Sequence, residues 1–218
     1  MLFPWKIYII SVKECEERRT FVNIQKEKLE NYGFSVEIVD AIYWQTIHVV
    51  EKMYELGIQF SYNLSQTQIA CFLSHRMIWQ KIVDSNEEFA IVMEDDMDLA
   101  DFDLFLQVEK ELTELESYDG LILWKHPEKI RSTIEKISKN LLKAYEQWGT
   151  CAYHLSSKIC WELLSISNLT KPIDNYFYND IFPNYNNIFM TERDPFINIG
   201  FIENRDIYGY SFRSLIMG

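Results

Sequence analysis

Apolar and polar positions alternate along this chain with two periods. Lys6 to Val12 is a short apolar run of strand character, and Glu14 to Tyr32 sets Phe21, Ile24, Lys28 and Leu29 at helical spacing before stopping at Gly33. Ser35 to Val39 is apolar again. Strand, helix and strand in that order predict a βαβ unit, which starts a parallel sheet with a right-handed crossover. Asp40 then stands at a carboxyl strand end, where open α/β sheets meet a nucleotide. Ile42 to Asn63 is irregular apart from a short helix around Val49 to Leu56. Ser65-Gln66-Thr67-Gln68 has the form of a capping box and predicts a helix to about Asp84. Ile69, Phe72, Leu73, Ile78, Ile82 and Val83 make its buried face, with His75 and Arg76 off that stripe.

Phe89 to Met93 is an unbroken apolar run that ends in four carboxylates, Glu94, Asp95, Asp96 and Asp98. A strand buried on both faces that stops in acids puts negative charge at the carboxyl edge of a sheet. Like charges so close raise one another's pKa, and a hard divalent cation with oxygen ligands relieves the repulsion. In extended backbone Glu94 and Asp96 point together while Asp95 points away. A solvated acidic turn is the alternative for the cluster taken alone.

Beyond it, Phe102 to Leu115 reads as a helix, Gly120 to Trp124 as a strand, Trp148 to Leu155 as a strand, and Ser156 to Ser165 as a helix capped by Ser156 or Ser157. Pro127 to Glu146 is charged and takes no clear period; Lys125 to Arg131 holds the local excess of positive charge. The last forty residues read as short strands and loops covering one face. The pattern as a whole predicts an α/β fold, one domain over residues 1–218, with a mostly parallel sheet flanked by helices.

Composition narrows the chemistry. The net charge of −12 argues against nucleic acid, which needs a basic footprint, and against a polybasic membrane anchor. No apolar run approaches membrane-spanning length, and the N-terminal run lacks the layout of a signal peptide. Cys15, Cys71, Cys151 and Cys160 have no paired spacing, so reduced thiols in a cytoplasmic protein are expected.

Three separated segments carry a resemblance. They are Ile9-Ile10-Ser11 with Arg18-Arg19 and Val39-Asp40-Ala41; Leu64 to His75 with Trp79, leading into Ala90 to Asp96; and Gly149 to Ser156, then Pro172-Ile173-Asp174. In order and spacing they resemble the family 25 glycosyltransferases, the Cys-Phe-Leu-Ser-His helix before Glu-Asp-Asp being the specific part. Ser11 stands where that family usually has Asn, and Ala70 where Gly often precedes the Cys.

The resemblance implies a GT-A type, Rossmann-like domain, with a nucleotide-sugar and metal half over about 1–100 and an acceptor half over about 101–218. It implies an inverting transferase that moves galactose or glucose from a UDP-sugar to a lipooligosaccharide or lipopolysaccharide core, with Mn²⁺ or Mg²⁺. The expected setting is cytoplasmic, with at most peripheral association at the inner membrane. Asp96 is expected to bind the metal with Glu94 or Asp98, and Asp95 to meet the ribose or donor sugar. Ser11, Arg18, Asp40, Ser74 and His75 are expected around the nucleotide, with Arg19 as an alternative to Arg18. Asp174 is expected to be the general base on the acceptor hydroxyl, with Asp180 as fallback. Of His154 and Tyr153, alternation makes one core, and Tyr153 is the expected one. Competing readings are a metal-dependent phosphoryl transferase or hydrolase, which predicts a second acid cluster, and a non-catalytic sugar- or cation-binding module.

Overall fold

The computed structural model describes residues 5–129 and 134–200. Arg131 and the chain beyond Gly200 therefore lie outside the described residues, as do the first four positions of the N-terminal run.

The first βαβ unit forms as the pattern predicts: β1 (Lys6–Ser11), α1 (Glu16–Asn31) and β2 (Ser35–Asp40), with β1 and β2 parallel in register. Next come α2 (Val49–Glu55), the short β3 (Gln59–Phe60) and α3 (Gln66–Asp84). Both halves of the capping box on α3 are made: the Ser65 side chain accepts from the Gln68 N–H, and the Gln68 side chain accepts from the Ser65 N–H. The remaining elements are β4 (Phe89–Glu94), β5 (Met97–Leu99), α4 (Phe102–Thr113), β6 (Gly120–Ile122), β7 (Leu141–Lys143), β8 (Ala152–Ser156), α5 (Ser157–Leu164), β9 (Asn168–Leu169), α6 (Ile173–Tyr176), β10 (Ile188–Thr191) and β11 (Phe196–Asn198).

Seven strands make one sheet in the order β2-β1-β4-β8-β6-β10-β7. β2, β1 and β4 run parallel, as do β6 and β10, whereas β8 is antiparallel to both its neighbours and β7 is antiparallel to β10. The fold is therefore α/β with a mostly parallel central sheet flanked by helices. Strand alternation feeds two separate cores. Tyr8, Ile10, Ala90 and Val92 pack with α3 and α5 on one face, and Ile7, Ile9, Ile91 and Met93 pack with α1 and α4 on the other.

Covering both faces corrects three expectations. Tyr153 is buried at 1% exposure, but so is His154 at 0%, because each faces a helical layer. His75 is not off the buried face of α3; it lies against the sheet at 1% exposure. Ile24 on α1 is 49% exposed, since Phe21, Val22, Gln25 and Leu29 form the inward face.

The segment predicted as a strand from Trp148 becomes one only at Ala152. Gly149 interrupts it at φ +79°, a backbone conformation that suits glycine. The tail does more than cover a face. β10 enters the main sheet between β6 and β7, and β11 pairs antiparallel with β5 beside the acid cluster.

Candidate active site

β4 delivers the acids. Glu94 is its last residue, Asp95 and Asp96 form the turn, and β5 carries Asp98. The strand ends at Glu94, so the alternation expected of extended backbone does not carry through the turn, and Glu94, Asp95 and Asp96 all line one cavity. Asp95 is buried and accepts from the Arg18 guanidinium of α1 and, at 3.3 Å, from the Val12 N–H. Asp98 is turned to Lys28, with Nζ at 2.7 Å. That ion pair gives it a different partner from the one expected, and it belongs to neither group of donors gathered below.

Glu94 is shaped by its donors. Oε1 accepts from the Thr150 hydroxyl at 3.1 Å and faces His75 Nε2 at 3.3 Å. Burial works against its charge, yet the facing His75 ring, through its hydrogen bond and, when protonated, its charge, then the Thr150 hydroxyl and the positive field of Arg18, hold the carboxyl below its ordinary range. Asp96 has the opposite character. Its Oδ1 is buried without a hydrogen-bond partner among the described residues, and burial together with the nearby Glu94 charge pushes its acid up to about 7. A Cβ placed on Gly200 would stand 3.0 Å from Asp96 Oδ2, so the chain after β11 closes tightly on this carboxyl.

Donor atoms of Glu94, Asp96 and Cys151 lie within 4.8 Å of one another, as do those of Cys71, His75 and Glu94. The first group fits a hard divalent cation. It joins a charged carboxylate to a second one whose buried oxygen has no other partner and whose ionisation is held back by like charge. The second group is already satisfied, because both ring nitrogens of His75 are engaged by hydrogen bonds. Burial, and next the charge of Glu94, pushes the thiols of Cys71 and Cys151 well up, and a hard cation prefers the carboxylate oxygens to such sulfurs. Among the described residues, Glu94 and Asp96 are the two carboxylates that share a donor group, and there is no second acid cluster.

Two cavities meet at Glu94. The first opens over the ends of β1 and β4 and is lined by Ser11, Arg18, Ser74, His75, Asp95 and Asp96, with Tyr43 and Trp44 from the loop after β2. The second, of about 360 Å³, is lined by Gln68, Trp148, Gly149, Thr150 and Asp174. Glu94 and Cys71 belong to both walls. Asp174 Oδ2 accepts from the Gly149 N–H at 3.1 Å and Oδ1 from the Asn175 N–H at 2.9 Å, so its carboxylate is fixed in the wall of the second cavity.

The structure thus brings together Ser11, Arg18, Ser74, His75, Glu94, Asp95 and Asp96, and sets Asp174 in the wall of the adjoining cavity. Ser74 serves the wall itself: its hydroxyl donates to the Ala70 carbonyl at 2.7 Å and accepts from the Ile42 N–H at 2.9 Å, tying down the loop after β2. Asp40 departs from the expectation. It is exposed, pairs with Arg19 at 2.6 Å, and lines neither cavity. Asp180 is likewise off both walls and pairs with Lys171 at 2.6 Å. Pattern reasoning passed over Thr150, Cys151, Trp148, Asn198 and Gly200. Thr150 and Cys151 carried a signal, since they lie in the third matched segment; Asn198 and Gly200 carried none.

The family model described as glycosyltransferase family 25 (LPS biosynthesis protein) matches residues 5–177. Procollagen galactosyltransferase 1-A of Xenopus laevis is 25% identical over 190 residues, which is 78% of this chain and 30% of that protein. Lacto-N-neotetraose biosynthesis glycosyltransferase LgtE of Neisseria meningitidis is 27% identical over 162 residues, 68% of this chain and 56% of that one. A mouse relative, 26% identical over 78% of this chain and 31% of its own length, is named an inactive family 25 member. The chain therefore spans less than two thirds of each of these relatives. With the match running from the first strand through α6 and taking in both cavity walls, this chain belongs to glycosyltransferase family 25.

Proposed function

We propose that this chain is an inverting hexosyltransferase that moves galactose or glucose from a UDP-sugar to a hydroxyl of a lipooligosaccharide core. The observation that carries the reading is the meeting of two cavities at Glu94, one closed by the acids and Arg18, the other faced by Asp174. The first suits the nucleotide and diphosphate, and the second suits an acceptor sugar beside the exposed ring of Trp148. A divalent cation between Glu94 and Asp96 would neutralise the diphosphate as it leaves.

The chain's own residues do the rest. Arg18 and Asp95 brace the turn from beneath, and Ser74 holds the cavity wall. Asp174 takes the proton from the acceptor hydroxyl as that oxygen bonds to the anomeric carbon. The bond from that carbon to the diphosphate oxygen breaks on the opposite face, which inverts the centre. A phosphoryl transferase working with two metals would need further carboxylates, and the described residues gather one pair.

Two substitutions divide the roles. Asp96→Ala is expected to abolish Mn²⁺-dependent UDP binding in calorimetry. Asp174→Asn is expected to leave that binding intact and to cut UDP release in the presence of acceptor by roughly 10²–10⁴-fold. Full transfer by Asp174→Asn would reject it as the base. Calorimetry with UDP-galactose and UDP-glucose reads the donor.

A further inference from the structure

His75 lines the first cavity, yet its contacts run inward to the core as well as outward to Glu94. Trp79, one turn along α3, is fully buried, and its indole N–H donates to the Tyr153 hydroxyl oxygen at 3.0 Å. An indole nitrogen can only donate, so Tyr153 accepts there and must place its own proton elsewhere. Its other polar neighbour is His75 Nδ1, at 2.8 Å. The Tyr153 proton directed there makes Nδ1 an acceptor, and a neutral ring then carries its hydrogen on Nε2.

Nε2 stands 3.3 Å from Glu94 Oε1 and 3.2 Å from the Thr150 oxygen. Thr150 donates its own hydrogen to the same Glu94 oxygen and keeps lone pairs for the imidazole N–H. Every donor in the sequence Trp79, Tyr153, His75, Glu94 thus finds an acceptor in one direction. The reverse tautomer would leave the Tyr153 hydrogen without an acceptor and turn the Nε2 lone pair toward the Glu94 oxygen, drawing the Thr150 hydrogen away from that carboxylate.

We propose that Trp79 and Tyr153 lock His75 as an Nε2–H donor to Glu94, making it a positioning residue that engages Oε1 and leaves Oε2 free to serve as a ligand. Both hydrogen bonds on this carboxylate fall on Oε1, and among the described residues Oε2 receives none. Carboxylates that ligate metals are commonly oriented in this way from behind. The ligand half of the inference rests on the cation reading above, whereas the tautomer half does not.

The test uses the full chain in two measurements. Long-range ¹H–¹⁵N spectra of the metal-free protein, with its four histidines labelled, report the tautomer directly. The expected result for His75 is a protonated Nε2 and a bare Nδ1; a protonated Nδ1 overturns the inference. Tyr153→Phe keeps the ring that packs on Phe177 and removes the hydroxyl. It is expected to weaken Mn²⁺ binding in the presence of UDP by ~10-fold or more in electron paramagnetic titrations, the scale of losing an outer-shell partner. Unchanged Mn²⁺ affinity in Tyr153→Phe overturns the positioning role. Wild-type protein that binds no Mn²⁺ at all sinks the cation reading instead, and the spectra then judge the tautomer alone.

Discussion

Glu94 and Glu109 are the same residue type on opposite faces of the sheet, the first in the wall of two cavities and the second enclosed under a helix, and they are held in opposite states. Glu94 has two donors on one oxygen and a guanidinium nearby, and its carboxyl sits below the ordinary range in spite of burial. Glu109, on α4, faces His154 of β8 across 3.9 Å. Neither its oxygens nor the ring nitrogens of His154 have a hydrogen-bond partner among the described residues. Burial alone then pushes Glu109 up to about 8 and His154 down to about 3, which makes both neutral near pH 7. Burial opposes the charge of both carboxyls, so burial alone does not decide which one ionises. The donors aimed at them do: Glu94 has them where the two cavities meet, and Glu109 has none among the described residues.

The sharpest way to break this comparison is a matched pair of variants. Glu94→Gln is expected to lower Mn²⁺-dependent UDP affinity by more than the ~10–100-fold typical of an outer-shell loss. Glu109→Gln is expected to leave it unchanged in the same calorimetric titration. Equal effects would mean that the contrast in hydrogen bonding has no functional content.

A smaller effect appears in stability against pH. The folded pKa of Glu109 lies above its unfolded value of 4.5, so the contribution of its neutral form is full below about 4.5 and is lost as pH rises through about 8. Denaturant titrations should show wild-type stability declining between about 6.5 and 8, since below 6.5 the opposite slope of His154 offsets that of Glu109, and Glu109→Gln should remove the decline, on the order of a few kcal/mol at most. The sign reverses for His154, whose folded pKa lies below its unfolded value of 6.5. The contribution of its neutral ring is present above 6.5 and is lost as pH falls through about 3, so His154→Phe should flatten the acid limb. The smallest effect is expected from Thr150→Val, which removes one of the two donors to Glu94. A hydrogen bond to a charged group is worth roughly 1.5–3 kcal/mol at most, and the remaining His75 contact should keep the loss of metal-dependent UDP affinity near the lower bound, about tenfold.

Much of the fold was legible in the chain because its signals are local. The capping box at Ser65 and Gln68, the strand alternation of β1 and β4, and the stop at Gly33 each depend on a few neighbouring residues. The elements that eluded the pattern are those whose conformation is set from a distance. β10 is a strand because it lies between β6 and β7, and His75 is buried because β8 brings Tyr153 against α3.

The candidate site divides in the same way. Adjacent acids at the end of an apolar strand could be read directly; the aim of Asp95 could not, because the strand stops at Glu94 and the Arg18 side chain of α1 decides where that carboxylate points. The parting of Asp98 and Asp40 from the cluster could not, because Lys28 and Arg19 lie many positions away in the chain and meet those acids only after α1 packs on the sheet.

The sequence by itself determined which residues are acidic, where a buried strand ends, and which family pattern they follow. Only the tertiary structure decided which acids keep their charge, because that depends on donors brought in by other elements: His75 from α3, and Thr150 from the turn before β8. A carboxyl's state is a property of what surrounds it in space, and the order of residues along the chain does not contain that distance.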